Sequence, residues 1–573
     1  MKPFKTNAIL DLLIAPFCRY YTLLITISIL FFLPIVSWEY YNVPKDFLLF
    51  RLINVFALCV ILSYCTILVG ILVECISTAF GKIILYLELL AVWIVSFGET
   101  FMIKFFQTKY DAFIFQMIDE TKGQETREFI FAYCNSLKFC IVLSAYMLLV
   151  LFGLYGTRII NKLLGNKLIP LITGVLFLIV IITAVIRSSI GNEPLYKVPV
   201  GVDSFTNLRN ARNAFLEGKA EFVKCDISHE NIVVDSCSVS SPKIILIIGE
   251  SFNKHHSSLY GYGLDTNPLL GKLDGLYVFN DVITSVNATS YSIRNFFSMT
   301  SVDEEKSWAD SPFFMAYFKK SGYYVTFYSN QYPKGFLEFN GGFLDMPTLN
   351  EACFDFRNTE TFQFDGDLLD HYEKDRSSID IGDKYLSIIH LMGQHMLAQA
   401  RYPEQYAYFT ADSINRPDLT EQQKWEVAYY DNATRYNDYV VKRIIDMYKS
   451  EDAIVVYFAD HGDEVNDFRP HCGRSFDIQA GAPMLHCQMD VPLLVYPTKI
   501  YRERHPEMIS KIEKALNSPF MTDDLPHFML GLAGIYTPLY NSSRNLIDSQ
   551  YNMHRKRLVG YEKKYNYDEY CNK

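Results

Sequence analysis

The chain has 573 residues, 50% of them hydrophobic and 15% aromatic, with a formal net charge of −10 and a mean hydropathy of +0.07. That charge excludes a nucleic-acid surface as the main business of the protein, and the hydropathy is high for a wholly soluble chain. The apolar residues crowd into the first third, and the remainder has the composition of an ordinary globular domain.

In chain order, five segments reach the roughly 20 mostly apolar residues that cross a bilayer: 21–38, 52–75, 83–103, 139–156 and 168–186. The first is not a cleavable signal, because its apolar part is long, no small-residue cleavage site follows, and further spans come after it. Lys2, Lys5 and Arg19 precede the first span, and Arg158, Lys162 and Lys167 separate the fourth from the fifth. By the positive-inside rule both groups face the cytoplasm. The 104–138 loop mixes lysines with Asp111, Asp119, Glu120, Glu125 and Glu128 and carries little orientation signal. An odd number of spans then places everything after Arg187 outside the cytoplasm.

The expected organisation is a membrane domain of five helices over 1–187, a linker along the membrane surface over 188–240 with a polar helical run at 207–223, a globular domain over 241–547, and a Tyr-, Lys- and Arg-rich tail over 548–573. In the globular part, the apolar runs KIILIIG, YYVTFYS, YLSIIHL, AIVVYFAD and VPLLVYP alternate with longer helical patterns. They predict an α/β domain with a largely parallel sheet covered by helices on both faces. Cys225, Cys237, Cys353, Cys472, Cys487 and Cys571 fall in this external part, where an oxidising compartment permits disulfides; Cys225–Cys237 and Cys472–Cys487 are the pairs nearest in sequence.

In open α/β sheets, ligands gather at the carboxyl ends of strands. IILIIGES delivers Glu250 there, and AIVVYFADHGDE delivers Asp460 and His461. Two carboxylates and an imidazole suit a hard-to-borderline divalent ion, and three protein ligands with one open position describe a catalytic centre. Between these strands lies ITSVNATSYSIRNFFSMTS, rich in hydroxyls and running into a helical pattern. Thr289 falls near the start of that helix, where free N–H groups favour phosphate, and a metal there would activate its hydroxyl. The alternative reading of these Ser and Thr residues is helix capping. His255 and His256 follow the strand-to-helix turn and read as bystanders. His390, inside YLSIIHL, and His527, on an apolar helical pattern, read as structural.

Five spans, a linker, and a domain containing IGES…LYGY…TNP, YDNATRYNDYVV and FADHGDEV resemble the phosphoethanolamine transferases of the Gram-negative inner membrane, within the alkaline phosphatase/sulfatase superfamily. HLMGQH, RYPEQY and DHGDEV…RPH most resemble the branch that decorates the lipopolysaccharide core heptose. The resemblance implies a sulfatase-like catalytic domain in the periplasm and an N-terminus in the cytoplasm. It implies one tight zinc site on Glu250, Asp460 and His461, with Thr289 as fourth ligand and nucleophile, and leaves a second metal open. His395 and His471 match phosphate-contacting or acid/base residues, Lys334 a lysine near the substrate phosphate, and Thr121 and Glu125 contacts to the donor head group. Two departures stand out. Arg294-Asn295 occupies the place of a disulfide-bonded Pro-Cys in lipid A-modifying members, and Met117 replaces an Asn. The implied function is transfer of phosphoethanolamine from phosphatidylethanolamine to lipopolysaccharide, or another lipid-linked glycan, through a phosphoethanolamine-threonine intermediate, with core heptose favoured over lipid A. Alternatives are a phosphoglycerol transferase of the lipoteichoic acid synthase type and a non-catalytic membrane scaffold on a degenerate phosphatase fold. A true sulfatase is disfavoured, since no Cys/Ser-x-Pro-x-Arg motif marks the nucleophile.

Overall fold

The computed structural model describes residues 6–42, 45–106, 109–110, 127, 130–134, 136–164, 172–179, 182, 202–238, 242–331, 344, 346–378, 382–469, 472–474, 481–560, 563 and 565–571. The chain divides into two compact units, Met1–Met117 with Phe129–Phe215, and Ile118–Glu128 with Leu216–Lys573.

The first unit contains α1 (Thr6–Cys18), α2 (Tyr21–Asn42), α3 (Lys45–Glu74), α4 (Thr78–Phe106) and α5 (Leu137–Leu164). Four stretches are long and apolar enough to cross a membrane, Tyr21–Tyr40, Leu52–Glu74, Thr78–Phe105 and Leu137–Lys162, in line with four of the five expected spans. Of the fifth, only 172–179 and 182 are described, as helix; the rest lies outside the described residues. Ile27 and Leu30 of α2, Val55 and Ile67 of α3 and Leu85 of α4 share one buried core. Hydroxyls bind the helices where no apolar driving force exists between them: Thr22 donates to the Gly153 carbonyl at 3.2 Å and Thr26 to that of Leu149 at 3.1 Å. By contrast α5 leaves Leu148, Leu151 and Ile159 exposed, the pattern of a helix that faces hydrocarbon.

A longer helix than expected, α6 (Val202–Ser228), covers the polar run predicted at 207–223. Within the second unit, Glu221 of α6 accepts from the Ser307 hydroxyl at 2.6 Å and the Trp308 indole at 2.8 Å.

The second unit is built on a seven-stranded sheet. Its strands are β1 (Lys243–Gly249), β2 (Tyr277–Phe279), β3 (Tyr324–Ser329), β4 (Phe356–Arg357), β5 (Tyr385–His390), β6 (Ala453–Ala459) and β7 (Leu493–Pro497), in the order β2-β7-β6-β1-β5-β3-β4. Strands β6, β1, β5, β3 and β4 run parallel, as the apolar runs predict. VPLLVYP is the exception: β7 is antiparallel to β6 and β2. β7 therefore begins at the carboxyl end of β6, where Leu493 pairs with Phe458. A strand buried on both faces is continuously apolar in either direction, so composition cannot reveal this reversal.

Register then positions the chemistry. Gly249 pairs with Ala459 in parallel, so Glu250 and Asp460 leave neighbouring strands side by side. The long helix α8 (Glu421–Tyr448), opened by a Thr420–Gln423 capping box, packs beside them: its Tyr430 hydroxyl donates to the Ser251 carbonyl at 2.6 Å and accepts from the Asn253 N–H at 2.7 Å. The cysteine pairs nearest in sequence are not bridged among the described residues.

Candidate active site

Glu250, Asp460 and His461 are completely buried, and their ligand atoms lie within 4.8 Å of one another. Backbone groups fix each side chain. Asp460 Oδ1 accepts from the N–H groups of Ser251 at 3.1 Å and His461 at 2.7 Å, while Oδ2 has no hydrogen-bond partner. Placing the Ser251 N–H there requires φ of +55°, an uncommon conformation for a non-glycine residue and a local cost that functional sites tolerate. His461 Nδ1 donates to the Gly462 carbonyl at 2.7 Å, which leaves the Nε2 lone pair facing Glu250 Oε1 at 3.4 Å and Asp460 Oδ2 at 3.3 Å.

Thr289 completes the group. It is the first residue of α7 (Thr289–Phe297), and Ala288 precedes it without a side-chain cap. The Thr289 hydroxyl therefore does not cap the helix. It lies 3.0 Å from Glu250 Oε2, to which it donates, and 3.3 Å from His461 Nε2.

Burial alone would raise the Glu250 carboxyl, but its polar surroundings, the His461 imidazole foremost and the Arg474 guanidinium beyond it, hold it well below the usual carboxylate range. Asp460 is driven well above that range by burial and by the Glu250 charge, and burial keeps His461 neutral. Two buried carboxylates facing each other, an orphaned Asp460 oxygen and an imidazole lone pair make a donor set that fits a divalent cation, zinc included.

Two further histidines approach this group. His390 ends β5 with Nε2 4.0 Å from Glu250 Oε2; it was expected to be structural, and burial lowers its pKa to about 4. His395 follows in the loop after β5, where burial lowers its pKa to about 3 and Nδ1 is enclosed without a partner. That loop grips the end of β1 directly, because the Gln394 N–H donates to the Glu250 carbonyl at 3.0 Å. Lys334, His471, Thr121, Glu125 and Met117 lie outside the described residues.

Two residues near the site carried no signal in the sequence. Gln331, just beyond β3, donates to Glu250 Oε2 at 3.4 Å and to the Leu391 carbonyl at 2.9 Å. Its strand-end position is the clue that identified Glu250, but a neutral amide in SNQYPKG does not announce chemistry. Arg474 donates to His461 Nε2 at 3.1 Å from a loop without a recognisable spacing.

A family model described as Sulfatase matches residues 242–535, about half of the chain. The chain belongs to the sulfatase family. Among curated relatives, this member is 28% identical over 318 residues to the phosphoethanolamine transferase EptC of Escherichia coli K12. The match takes in 54% of this chain and spans about half, 53%, of that relative's length. Among solved structures, the C-terminal periplasmic domain of Escherichia coli EptC in complex with Zn is 25% identical with a TM-score of 0.51, covering 59% of this chain and 96% of that one. The integral membrane lipooligosaccharide phosphoethanolamine transferase EptA of Neisseria meningitidis shares the fold at 18% identity and a TM-score of 0.59, covering 93% of this chain and 97% of that one.

Within this family framework, Arg294 has a structural account. Its guanidinium lies 4.8 Å from the Tyr291 ring, 5.1 Å from Phe222 of α6 and 5.3 Å from Trp308, so a cation–π stack joins α7 to α6 where Pro-Cys was expected in other members. Gly393 supplies a test of the site's rigidity. Its φ is +52°, and a Cβ there would stand 2.7 Å from the Glu250 carbonyl oxygen. Gly393→Ala is expected to displace Glu250 and weaken zinc binding by about 10-fold or more, read by competition with a chromogenic chelator; unchanged affinity would show that the loop does not position Glu250.

Proposed function

We propose that this sulfatase-family protein transfers phosphoethanolamine from phosphatidylethanolamine to a lipopolysaccharide acceptor, core heptose in preference to lipid A, through a covalent intermediate on Thr289. The observation that carries the reading is the Thr289 hydroxyl, at a helix N-terminus, directed at Glu250 and His461 rather than at its own backbone. The names of the relatives and the zinc-bound EptC domain support it.

Glu250, Asp460, His461 and the Thr289 oxygen would hold zinc. When bound, zinc neutralises charge on phosphoryl oxygens and lowers the pKa of the hydroxyl. The remaining work belongs to the chain. Thr289 Oγ1 attacks the donor phosphorus; the Oγ1–P bond forms, the bond to the diacylglycerol oxygen breaks, and that oxygen takes up a proton as Thr289 gives one up. The positive end of the α7 helix dipole, at Thr289, favours the incoming phosphate. In the second step an acceptor hydroxyl attacks the same phosphorus, its proton passes to the imidazole of His395 or His471, the P–Oγ1 bond breaks, and Oγ1 takes that proton from the imidazole to restore the Thr289 hydroxyl. Lys334 would pair with the phosphate and Thr121 with the donor head group. Five spans, with the N-terminus in the cytoplasm and the domain in the periplasm, would keep this site at the bilayer surface where both lipids reside.

Supplying phosphatidylethanolamine or phosphatidylglycerol with labelled head groups tests the reading. Label is expected to move to lipopolysaccharide only from the ethanolamine lipid, whereas glycerol-phosphate transfer would favour the lipoteichoic acid synthase type. Removing metal with a chelator is expected to lower transfer by about 100-fold or more, with recovery on adding zinc; full activity in the metal-free protein would contradict a zinc-dependent site.

A further inference from the structure

A second convergence of imidazole and carboxylate lies outside the Glu250 group. His255 comes from the short turn after β1, where the Asn253 side chain accepts its backbone N–H at 2.9 Å. His486 lies in the last turn of α9 (Ala482–Met489) and Asp490 follows directly. His255 Nε2 is 2.9 Å and His486 Nδ1 3.4 Å from the same oxygen, Asp490 Oδ2, and the three ligand atoms lie within 4.8 Å of one another. Metal–ligand bonds of about 2.0–2.2 Å in a tetrahedron separate neighbouring ligand atoms by about 3.3–3.6 Å, close to these spacings. The carboxylate is buried while both imidazoles are partly exposed, at 46% and 40% of their side chains, so an ion has a route in.

The outer contacts also suit a metal. The hydroxyl of Tyr567, on the C-terminal helix α10 (Tyr567–Cys571), donates to the other carboxylate oxygen, Asp490 Oδ1. That contact orients the carboxylate with Oδ2 toward the two imidazoles, the role such partners play around bound metals. The same hydroxyl lies 2.8 Å from His486 Nδ1, so metal binding there would leave Tyr567 bonded to Asp490 alone. An opposing charge, Lys254, stands 3.8 Å from Oδ2, but its ammonium is engaged by the Asn280 carbonyl at 3.0 Å.

We propose that His255, His486 and Asp490 form a second zinc site, which fastens α9 and the C-terminal helix to the turn after β1. Its place gives it a bearing on the first site. Gln488, between His486 and Asp490, accepts the Gly462 N–H through its carbonyl at 2.8 Å and the Asn287 amide through its side chain at 2.5 Å. The clasp therefore steadies the segments next to His461 and Thr289. His255 thus has a function that its position beyond the strand end did not suggest.

The test uses full-length protein in detergent, stripped of metal and titrated with Zn2+ alone. Elemental analysis should give one equivalent fewer for the His255→Gln/His486→Gln variant than for wild type. The Glu250→Gln/His461→Gln variant should retain an equivalent, and its melting temperature should still rise when Zn2+ is added. Combining all four substitutions should abolish that rise. Should the His255/His486 variant fail to fold, Co2+ added to the Glu250/His461 variant decides the matter, since a three-ligand site gives intense d–d absorption. Equal zinc content in wild type and the His255/His486 variant, or no Zn2+ or Co2+ bound by the Glu250/His461 variant, would overturn the proposal. Because the readouts are metal content and stability, they stand whatever reaction Thr289 performs.

Discussion

Thr289→Ala is expected to reduce phosphoethanolamine transfer by at least about 1,000-fold, since it deletes the attacking atom and leaves the rest of the site in place. Thr289 is only the first residue of α7 and makes no cap, so the substitution costs little in folding. Thr289→Ser keeps an oxygen within reach of Glu250 and should retain measurable transfer. The ratio between the two variants, measured with labelled phosphatidylethanolamine and purified lipopolysaccharide, separates loss of a nucleophile from general damage. A Thr289→Ala protein that transfers at the wild-type rate would remove this residue from the mechanism.

The largest effect on stability is expected from His256. Its ring is buried, with Nδ1 2.7 Å from Asp431 and Nε2 3.2 Å from Asp467. These carboxylates also receive the Tyr262 hydroxyl at 2.9 Å and the Asn253 amide at 3.1 Å, respectively. His256 stands outside the Glu250 group and clamps the turn after Glu250 to α8 and to the loop that follows His461. His256→Ala leaves two carboxylates facing each other without a cation and should cost about 3–5 kcal/mol in chemical unfolding. The pH dependence has a definite sign. Burial lowers the imidazole pKa, but Asp467 and Asp431 outweigh it and raise it to about 10, from an ordinary value of 6.5. The folded protein therefore binds more protons than the unfolded chain between these values, and the clamp's contribution is complete below about pH 6.5 and fades as pH rises toward 10. The stability difference between wild type and His256→Ala should shrink over that interval; a constant difference would mean that His256 is not held as a cation.

Much of the site could be read from the chain because strand ends are legible: an apolar run followed by GES or DHG marks where buried backbone gives way to ligand-bearing side chains. Parallel pairing of β1 with β6 then needed only the usual α/β topology to bring Glu250 beside Asp460. The capping question at Thr289 could not be resolved in the same way, because a hydroxyl at a helix start serves either purpose and only its direction decides. The structural role of His256 left no signal for a related reason. Its partners, Asp431 and Asp467, stand 175 and 211 residues away, and no local pattern connects them. The reversal of β7 left no trace in VPLLVYP, since burial on both faces erases the difference between parallel and antiparallel strands.

The covalent intermediate on Thr289 is the centre of this account, and trapping it is the most direct test. Purified protein is incubated with phosphatidylethanolamine in the absence of acceptor, quenched in acid, and digested for mass spectrometry. The account predicts a phosphoethanolamine adduct on the peptide containing Thr289 and release of one diacylglycerol per protein molecule. An unmodified Thr289 in protein that then transfers phosphoethanolamine normally once lipopolysaccharide is added, or an adduct confined to another residue, would contradict it.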